Sequence, residues 1–211
     1  MKTETTQITK LLISDLMGEP YRLDPVTVIL EDTGHRVIPM DGKGYTTRQG
    51  KIIVECYGKS WSAYWGGMGD RTVAQFFSDE HSEYLIGSLA PSLGGSRFSG
   101  DALVNMAKRV VLDCRRGRTA NHHPYSMDKE DARKLFYRIE DELRSGERED
   151  QCWNHSDLLS ELFSDEWWHA AGDATEPNPD YQYLQRIVLA VQAGLRQAGL
   201  AQGKGMEASH A

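Results

Sequence analysis
Catalytic signatures are missing from this sequence. It holds no Gly-x-Ser-x-Gly elbow, no His-Glu-x-x-His pair and no kinase signature, so local motif chemistry assigns no reaction and no catalytic residue. Cysteine is scarce too. Cys56, Cys114 and Cys152 are widely spaced, and an odd, sparse count fits reduced thiols better than a disulfide framework. No apolar stretch approaches the roughly 18 to 20 residues of a membrane span, and Met1 to Thr9 is polar with no signal core. The chain therefore reads as cytoplasmic, with no membrane partner. Nor is there a basic excess. A formal net charge of −7 over 211 residues argues against nucleic-acid binding through the whole surface.

What is present reads as an ordinary folded protein, 39% hydrophobic and 26% charged. The richest stretch is Ile52 to Phe77. Gly58-Lys59 has the form of a type II′ loop, which pairs Cys56 with Trp61, Val54 with Ala63 and Ile52 with Trp65 on an apolar face. The other face is mixed, and Glu55, Ser62 and Tyr64 are its exposed candidates. After Trp65, Gly66-Gly67-Met68-Gly69 breaks the strand. Thr72 with Gln75 fits a capping box for a helix carrying Val73, Phe76 and Phe77 on one side. A glycine turn between strand and helix also suits a phosphorylated ligand, as a small enzyme or binder at residues 66–70 requires. This one lacks the third glycine of the dinucleotide fingerprint and follows a hairpin arm, so it is read first as a structural turn.

Upstream, Ile8 to Ile13 and Val26 to Leu30 are predicted strands, the second bounded by Asp32-Thr33-Gly34, with Arg36 to Ile38 continuing as a hairpin arm. Pro39 to Gly50, mostly Gly, Thr and charged residues, reads as a long excursion. Pro91 to Gly100 is rich in Gly and Ser and reads as a boundary. Beyond it the apolar period changes to 3.6. Leu103, Met106, Ala107, Val110 and Cys114 mark one helix ended by Gly117. Ala132, Leu135, Phe136, Ile139 and Leu143 mark a second, and Leu158, Leu159, Leu162 and Phe163 a third. Leu184, Ile187, Val188, Val191 and Leu195 mark a fourth, from Pro179 to Gly199. The expected fold is α+β: an N-terminal antiparallel sheet with a packed helix, then a mostly helical C-terminal bundle. The expected division is a sheet domain over 1–95, a helical domain over 96–199 and a disordered tail over 200–211.

Three clusters compete as sites. Trp153, Trp167 and Trp168 lie in an acidic segment, and neighbours at 167 and 168 cannot face the same way, which leaves one available as an interface anchor. Lys108, Arg109, Arg115, Arg116 and Arg118, with Arg97 upstream, make six basic residues against Asp101 and Asp113. That excess suits nucleic acid, although cations at a helix C-terminus are also favoured by its dipole. Cys152 and His155 have a ligand-like spacing, and Cys114 with His122 and His123 completes a set for zinc on paper. Cys114 falls on an apolar helix face, and the reading taken is a buried structural cysteine with no metal and no cofactor.

Two blocks carry a resemblance. Glu55-Cys-Tyr-Gly-Lys-Ser-Trp-Ser-Ala-Tyr-Trp-Gly-Gly-Met-Gly-Asp-Arg-Thr and Pro177-Asn-Pro-Asp-Tyr-Gln-Tyr-Leu-Gln-Arg-Ile-Val resemble an uncharacterised accessory protein family of tailed phages and prophages of enteric bacteria. The resemblance implies a bacterial cytoplasm, an accessory role in infection or lysogeny, and a host or phage protein as partner. It carries no active-site residues.

Overall fold
A computed structural model describes residues 7–18, 20–40, 43–118, 127–143 and 148–202. The fold is α+β. A four-stranded antiparallel sheet has the order β1 (Thr9–Ile13), β2 (Val26–Met40), β3 (Lys43–Cys56) and β4 (Lys59–Trp65). Helices α1 (Val73–Asp79) and α2 (Ser82–Leu89) follow. Then come strand β5 (Ser96–Phe98), helices α3 (Gly100–Arg115), α4 (Lys129–Arg138), α5 (Ser156–Phe163) and α6 (Trp167–Asp173), strand β6 (Thr175–Pro177) and helix α7 (Pro179–Gln197). A π-helical turn, Ile139–Leu143, continues α4, and a 3-10 helix spans Glu149–His155.

The chain divides into two units by contact, one comprising 1–94 and 179–211, the other 95–178. This differs from the division expected from sequence, where 96–199 formed one helical domain. Helix α7 buries Leu184, Ile187, Val188, Val191 and Leu195 in the core of the sheet unit. An amphipathic stripe specifies that a helix must be covered on one side, and not which surface covers it. Of the expected tail, residues 203–211 lie outside the described residues.

In the sheet unit, alternation decides which side is buried. Val26, Val28 and Leu30 of β2, Ile52, Val54 and Cys56 of β3, and Ala63 and Trp65 of β4 share one core with α1, α2 and α7. The β3-β4 register differs from the expected one by two residues. Cys56 faces Lys59, Val54 faces Trp61, Ile52 faces Ala63 and Gly50 faces Trp65. The loop is Tyr57-Gly58, with φ of 46° and 73°, so both positions are left-handed as a type I′ turn requires. Gly58 satisfies either turn, and a shift of two leaves every side chain on the same face. The observed pairing also sets Trp65 opposite Gly50.

The described part of the predicted excursion over 39–50, residues 39–40 and 43–50, is instead strand. Beyond a bulge between Asp32 and His35, β2 and β3 keep pairing as His35 with Arg48, Arg36 with Thr47 and Val37 with Thr46. The backbone of Arg48 is also held from the other side: its N–H donates to Gly69 O at 2.7 Å, and its carbonyl accepts from Met68 N at 2.9 Å. This ribbon is largely solvated, so its glycines, threonines and charges read as loop. The capping box is present, with Gln75 N donating to Thr72 Oγ1 at 3.2 Å and Thr72 N to Gln75 Oε1 at 2.9 Å.

Helix α1 is finished by α7. Buried Gln192 donates through Nε2 to Phe77 O at 2.9 Å and Glu80 O at 2.8 Å, and Arg196 donates to Ser78 O. These bonds satisfy carbonyls that a seven-residue helix leaves open. Gln192→Leu should lower stability by about 1 to 3 kcal/mol, the cost of orphaning buried carbonyls. Urea denaturation checks this, and an unchanged midpoint would remove that role.

In the second unit, Leu103, Val104, Ala107 and Val111 of α3 pack with Ala132, Leu135, Ile139, Leu158, Leu159 and Trp167. Of the adjacent pair Val110 and Val111, it is Val111 that is buried, where Val110 was expected. Ser99 caps α3, its Oγ accepting from Ala102 N at 3.2 Å, and Gly117 ends it at φ 66°. The expected linker 91–100 contains β5, which pairs with β6 as Ser96 to Pro177 and Phe98 to Thr175. Asn178 N donates to Gly95 O at 2.9 Å, so the two ends of this unit meet.

Candidate functional site
The three tryptophans of the acidic segment come together. Cys152 anchors the 3-10 helix in the core, and its neighbour Trp153 points outward at 63% exposure. Trp167 opens α6 and is 3% exposed, whereas Trp168, a hundred degrees round the helix, is 44% exposed. The Trp153 and Trp167 rings meet edge to face with centroids 4.7 Å apart, and Trp168 lies 6.3 Å from Trp167 at 71°. Such tilted arrangements suit the aromatic quadrupole. A buried indole thus supports two that face water. Sequence reasoning found all three residues but not their contact, because Glu149–His155 has no helical period to read.

The surroundings of this patch are acidic. Glu149, Asp165, Glu166 and Asp173 are exposed and form no ion pair among the described residues. Arg148 is held by Asp150, with Nε to Oδ1 at 3.0 Å and Nη2 to Oδ2 at 2.8 Å. His169 stands against Trp168 at 5.9 Å between ring centroids.

The basic run is partly neutralised. Lys108 Nζ lies 2.6 Å from Glu140 Oε1, Arg118 Nη1 4.0 Å from Asp113 Oδ1, and Arg97 Nη2 2.7 Å from Glu176 Oε1. Arg97 holds the Glu176 carboxyl below its ordinary range. Arg109, Arg115 and Arg116 are exposed and have no ion pair among the described residues.

The glycine turn uses its own amides. Met68 N–H goes to Arg48 O, Gly69 N–H to Thr47 Oγ1 at 2.8 Å, Thr72 N–H to Gln75 Oε1 and Val73 N–H to Asp32 Oδ1 at 2.9 Å. These four donors are therefore not free for a phosphate. Beside the turn is a cleft of about 620 Å³ lined by Thr9, Asp32, His35, Arg48, Asp70 and Thr72 among others. Sequence reasoning missed it because the bulge that brings Asp32 and His35 to its wall lies where Asp32-Thr33-Gly34 reads as the end of the second strand; β2 instead runs on through it, and Arg36 to Ile38 is part of β2 and not a separate hairpin arm. On the sheet's outer face Glu55, Ser62 and Tyr64 are exposed, and the Tyr64 hydroxyl donates to Gln49 Oε1 at 2.9 Å.

The thiols are withdrawn. All three cysteines are buried. Burial first, then the charge of Asp113, pushes the Cys114 thiol up, and burial with Glu149 does the same at Cys152, the opposite of what a nucleophile or metal thiolate needs. Tyr183 is likewise raised, by burial and by its hydrogen bond to Cys56 Sγ at 3.3 Å. His155 Nδ1 lies 3.7 Å from Glu142 Oε2. Among the described residues no three His, Cys, Asp or Glu side chains converge as a metal site. His122 and His123 lie outside the described residues. No helix among the described residues is long and apolar enough to cross a membrane.

These features define an α+β protein whose helical unit is inserted, in sequence, ahead of the last helix of its sheet unit, with an aromatic patch exposed on the insertion. A family model described as a phage family (Phage_phiTE_072) matches residues 1–197, and the chain belongs to that family. No curated protein and no solved structure matches the chain.

Proposed function
We propose that this phage-family protein is a non-catalytic accessory protein of tailed phages and prophages of enteric bacteria. It acts in the bacterial cytoplasm by binding a host or phage protein, and so modulates a defence or replication function. The observation that carries the reading is the pair of exposed indoles, Trp153 and Trp168, braced by buried Trp167. Exposed aromatics on a rigid support are the usual anchors of protein interfaces. The resemblance of residues 55–72 and 177–188 supports the accessory role.

The test is an affinity pull-down from infected host lysate with the parent chain and with Trp153→Ala/Trp168→Ala. Trp167 is left in place because it is core. The partner should be lost from the double variant, since two anchors contribute on the order of 2 to 4 kcal/mol each. Recovery of the same proteins by both would end the reading.

A second reading is favoured by the unpaired Arg109, Arg115 and Arg116, which suit a nucleic-acid backbone. Three phosphate contacts predict a slope of log K against log salt near about −2.7 for duplex DNA. Arg115→Gln/Arg116→Gln should reduce that slope to about −0.9, measured by fluorescence anisotropy. Absence of binding at low salt would dispose of this alternative.

A further inference from the structure
We infer that the tryptophan patch takes a basic, arginine-rich segment of a partner protein, with guanidinium groups on the two exposed indoles and the flanking carboxylates as its rim. The inference rests on the docking reading of the patch and specifies its partner's chemistry. Between Arg148 and Asp173 the segment carries seven carboxylates, at Glu149, Asp150, Asp157, Glu161, Asp165, Glu166 and Asp173, against one fixed cation, Arg148. That cation is already engaged by Asp150 in a two-point contact. Glu161 is held by Arg138 at 2.7 Å, and with Asp150 also engaged, five carboxylates have no ion pair among the described residues. The carboxylates are placed to matter. Side chains three apart eclipse on a 3-10 helix, which sets Asp150 beside Trp153. Asp165 and Glu166 lead directly into α6, and Glu149 Oε1 lies within 3.9 Å of where a Cβ on Gly172 would stand.

Among the described residues no cation covers either indole. The cation–π contacts among the described residues are Lys59 on Tyr183, Arg71 on Phe76, Lys108 on Phe136 and Arg186 on Tyr21, and none of these involves Trp153 or Trp168. Two open indole faces amid unpaired negative charge are what a planar, weakly hydrated guanidinium satisfies best. It stacks on the ring while donating to carboxylates in its own plane. A lysine ammonium fits less well, and an acidic or purely aliphatic segment would leave the rim repelled or unpaired.

The test titrates the full chain with two blocked dodecapeptides, one alternating arginine with serine and one alternating glutamate with serine, following tryptophan emission at moderate salt. The arginine peptide should bind and perturb the emission, and the glutamate peptide should not. Trp153→Ala/Trp168→Ala leaves net charge unchanged yet should weaken the arginine peptide about tenfold or more, which separates stacking from attraction to an acidic protein. The single Trp153→Ala variant, at a residue mostly in water, keeps the test valid if the double variant fails to fold. Glu149→Gln/Asp165→Asn/Glu166→Gln/Asp173→Asn should weaken it severalfold. Equal binding by parent and tryptophan variants, or by the two peptides, overturns the inference. In the lysate experiment, a partner lost by the tryptophan variant but kept by the carboxylate variant overturns the basic-segment inference and leaves docking standing, whereas a partner kept by both removes docking as well. Self-association in sedimentation that vanishes in Arg115→Glu/Arg116→Glu would make the occupant a second copy of this chain, and would overturn the partner-protein assignment.

Discussion
Gly50→Ala should lower the unfolding free energy of the sheet unit by about 3 kcal/mol, the upper part of the overpacking range, and Gly50→Val should leave that unit unfolded. A Cβ at this position would stand 2.3 Å from Val73 Cγ2, 2.6 Å from Glu31 O and 3.4 Å from Asp32 Cα. Two of these are backbone atoms of the paired strand and cannot swing aside. The third belongs to the fully buried first residue of α1, whose N–H is tied to Asp32 Oδ1. Relief would need α1 to lift away from the bulge or β2 to separate from β3, and either opens the core under Trp65. Gly67→Ala is the control, because its nearest neighbour is Thr47 Oγ1 at 3.8 Å, an ordinary contact. It should fall within about 0.5 kcal/mol of the parent. Urea denaturation of both variants reads the difference. Equal midpoints for Gly50→Ala and the parent would mean that strand and helix do not approach this closely.

The same crowding shows what a sequence can and cannot convey. The Thr72 capping box, the glycine stop after α3 and the apolar stripes of α3, α4, α5 and α7 are local patterns, each decided by residues within a turn or two of one another. All were legible. The hairpin faces were legible too, since alternation sets them, but the register was not, because Gly58 serves equally at the first position of one turn and the second of another. The paired stretches 35–40 and 43–48 were hidden for a different reason. A solvated strand needs no apolar alternation, and its order comes from Arg48 pairing on both sides, which no nearby residue announces.

The candidate site follows the same division. That Trp167 and Trp168 must diverge is helical geometry and could be stated in advance. That Trp153 returns to brace Trp167 depends on a short 3-10 helix fixed by tertiary packing. The basic run shows the converse error. Arg97, Lys108 and Arg118 looked like one patch with Arg109, Arg115 and Arg116, yet their carboxylate partners Glu176, Glu140 and, more loosely, Asp113 claim them. Two of those partners lie over thirty residues away on other elements, so a local charge count overstates the free cation.

Cutting the chain provides the largest effect. A fragment ending at residue 95 contains the whole four-stranded sheet with α1 and α2, and a division by sequence composition would have it fold. It should not. Helix α7 supplies Leu184, Ile187, Val188, Val191 and Leu195, each 0% exposed, to that core. At roughly 1.5 to 3 kcal/mol per buried aliphatic side chain, their loss removes about 7 to 15 kcal/mol, as much as a typical domain's entire stability. Gln192 and Arg196 would leave with them, abandoning the carbonyls of α1, and Gly194, whose own Cβ would fall 2.5 Å from Ile13 Cδ1, would no longer cover β1. The complementary experiment removes residues 95–178 and joins Gly94 to Pro179 through two to four glycine and serine residues. Because Gly95 O and Asn178 N are 2.9 Å apart, a linker of that length spans the gap without strain, and its closure entropy grows only slowly with length. The spliced chain should give a cooperative thermal transition and dispersed amide resonances, while the 1–95 fragment gives neither. A folded 1–95 fragment, or an unfolded splice, would show that α7 is not the element on which the sheet's core depends.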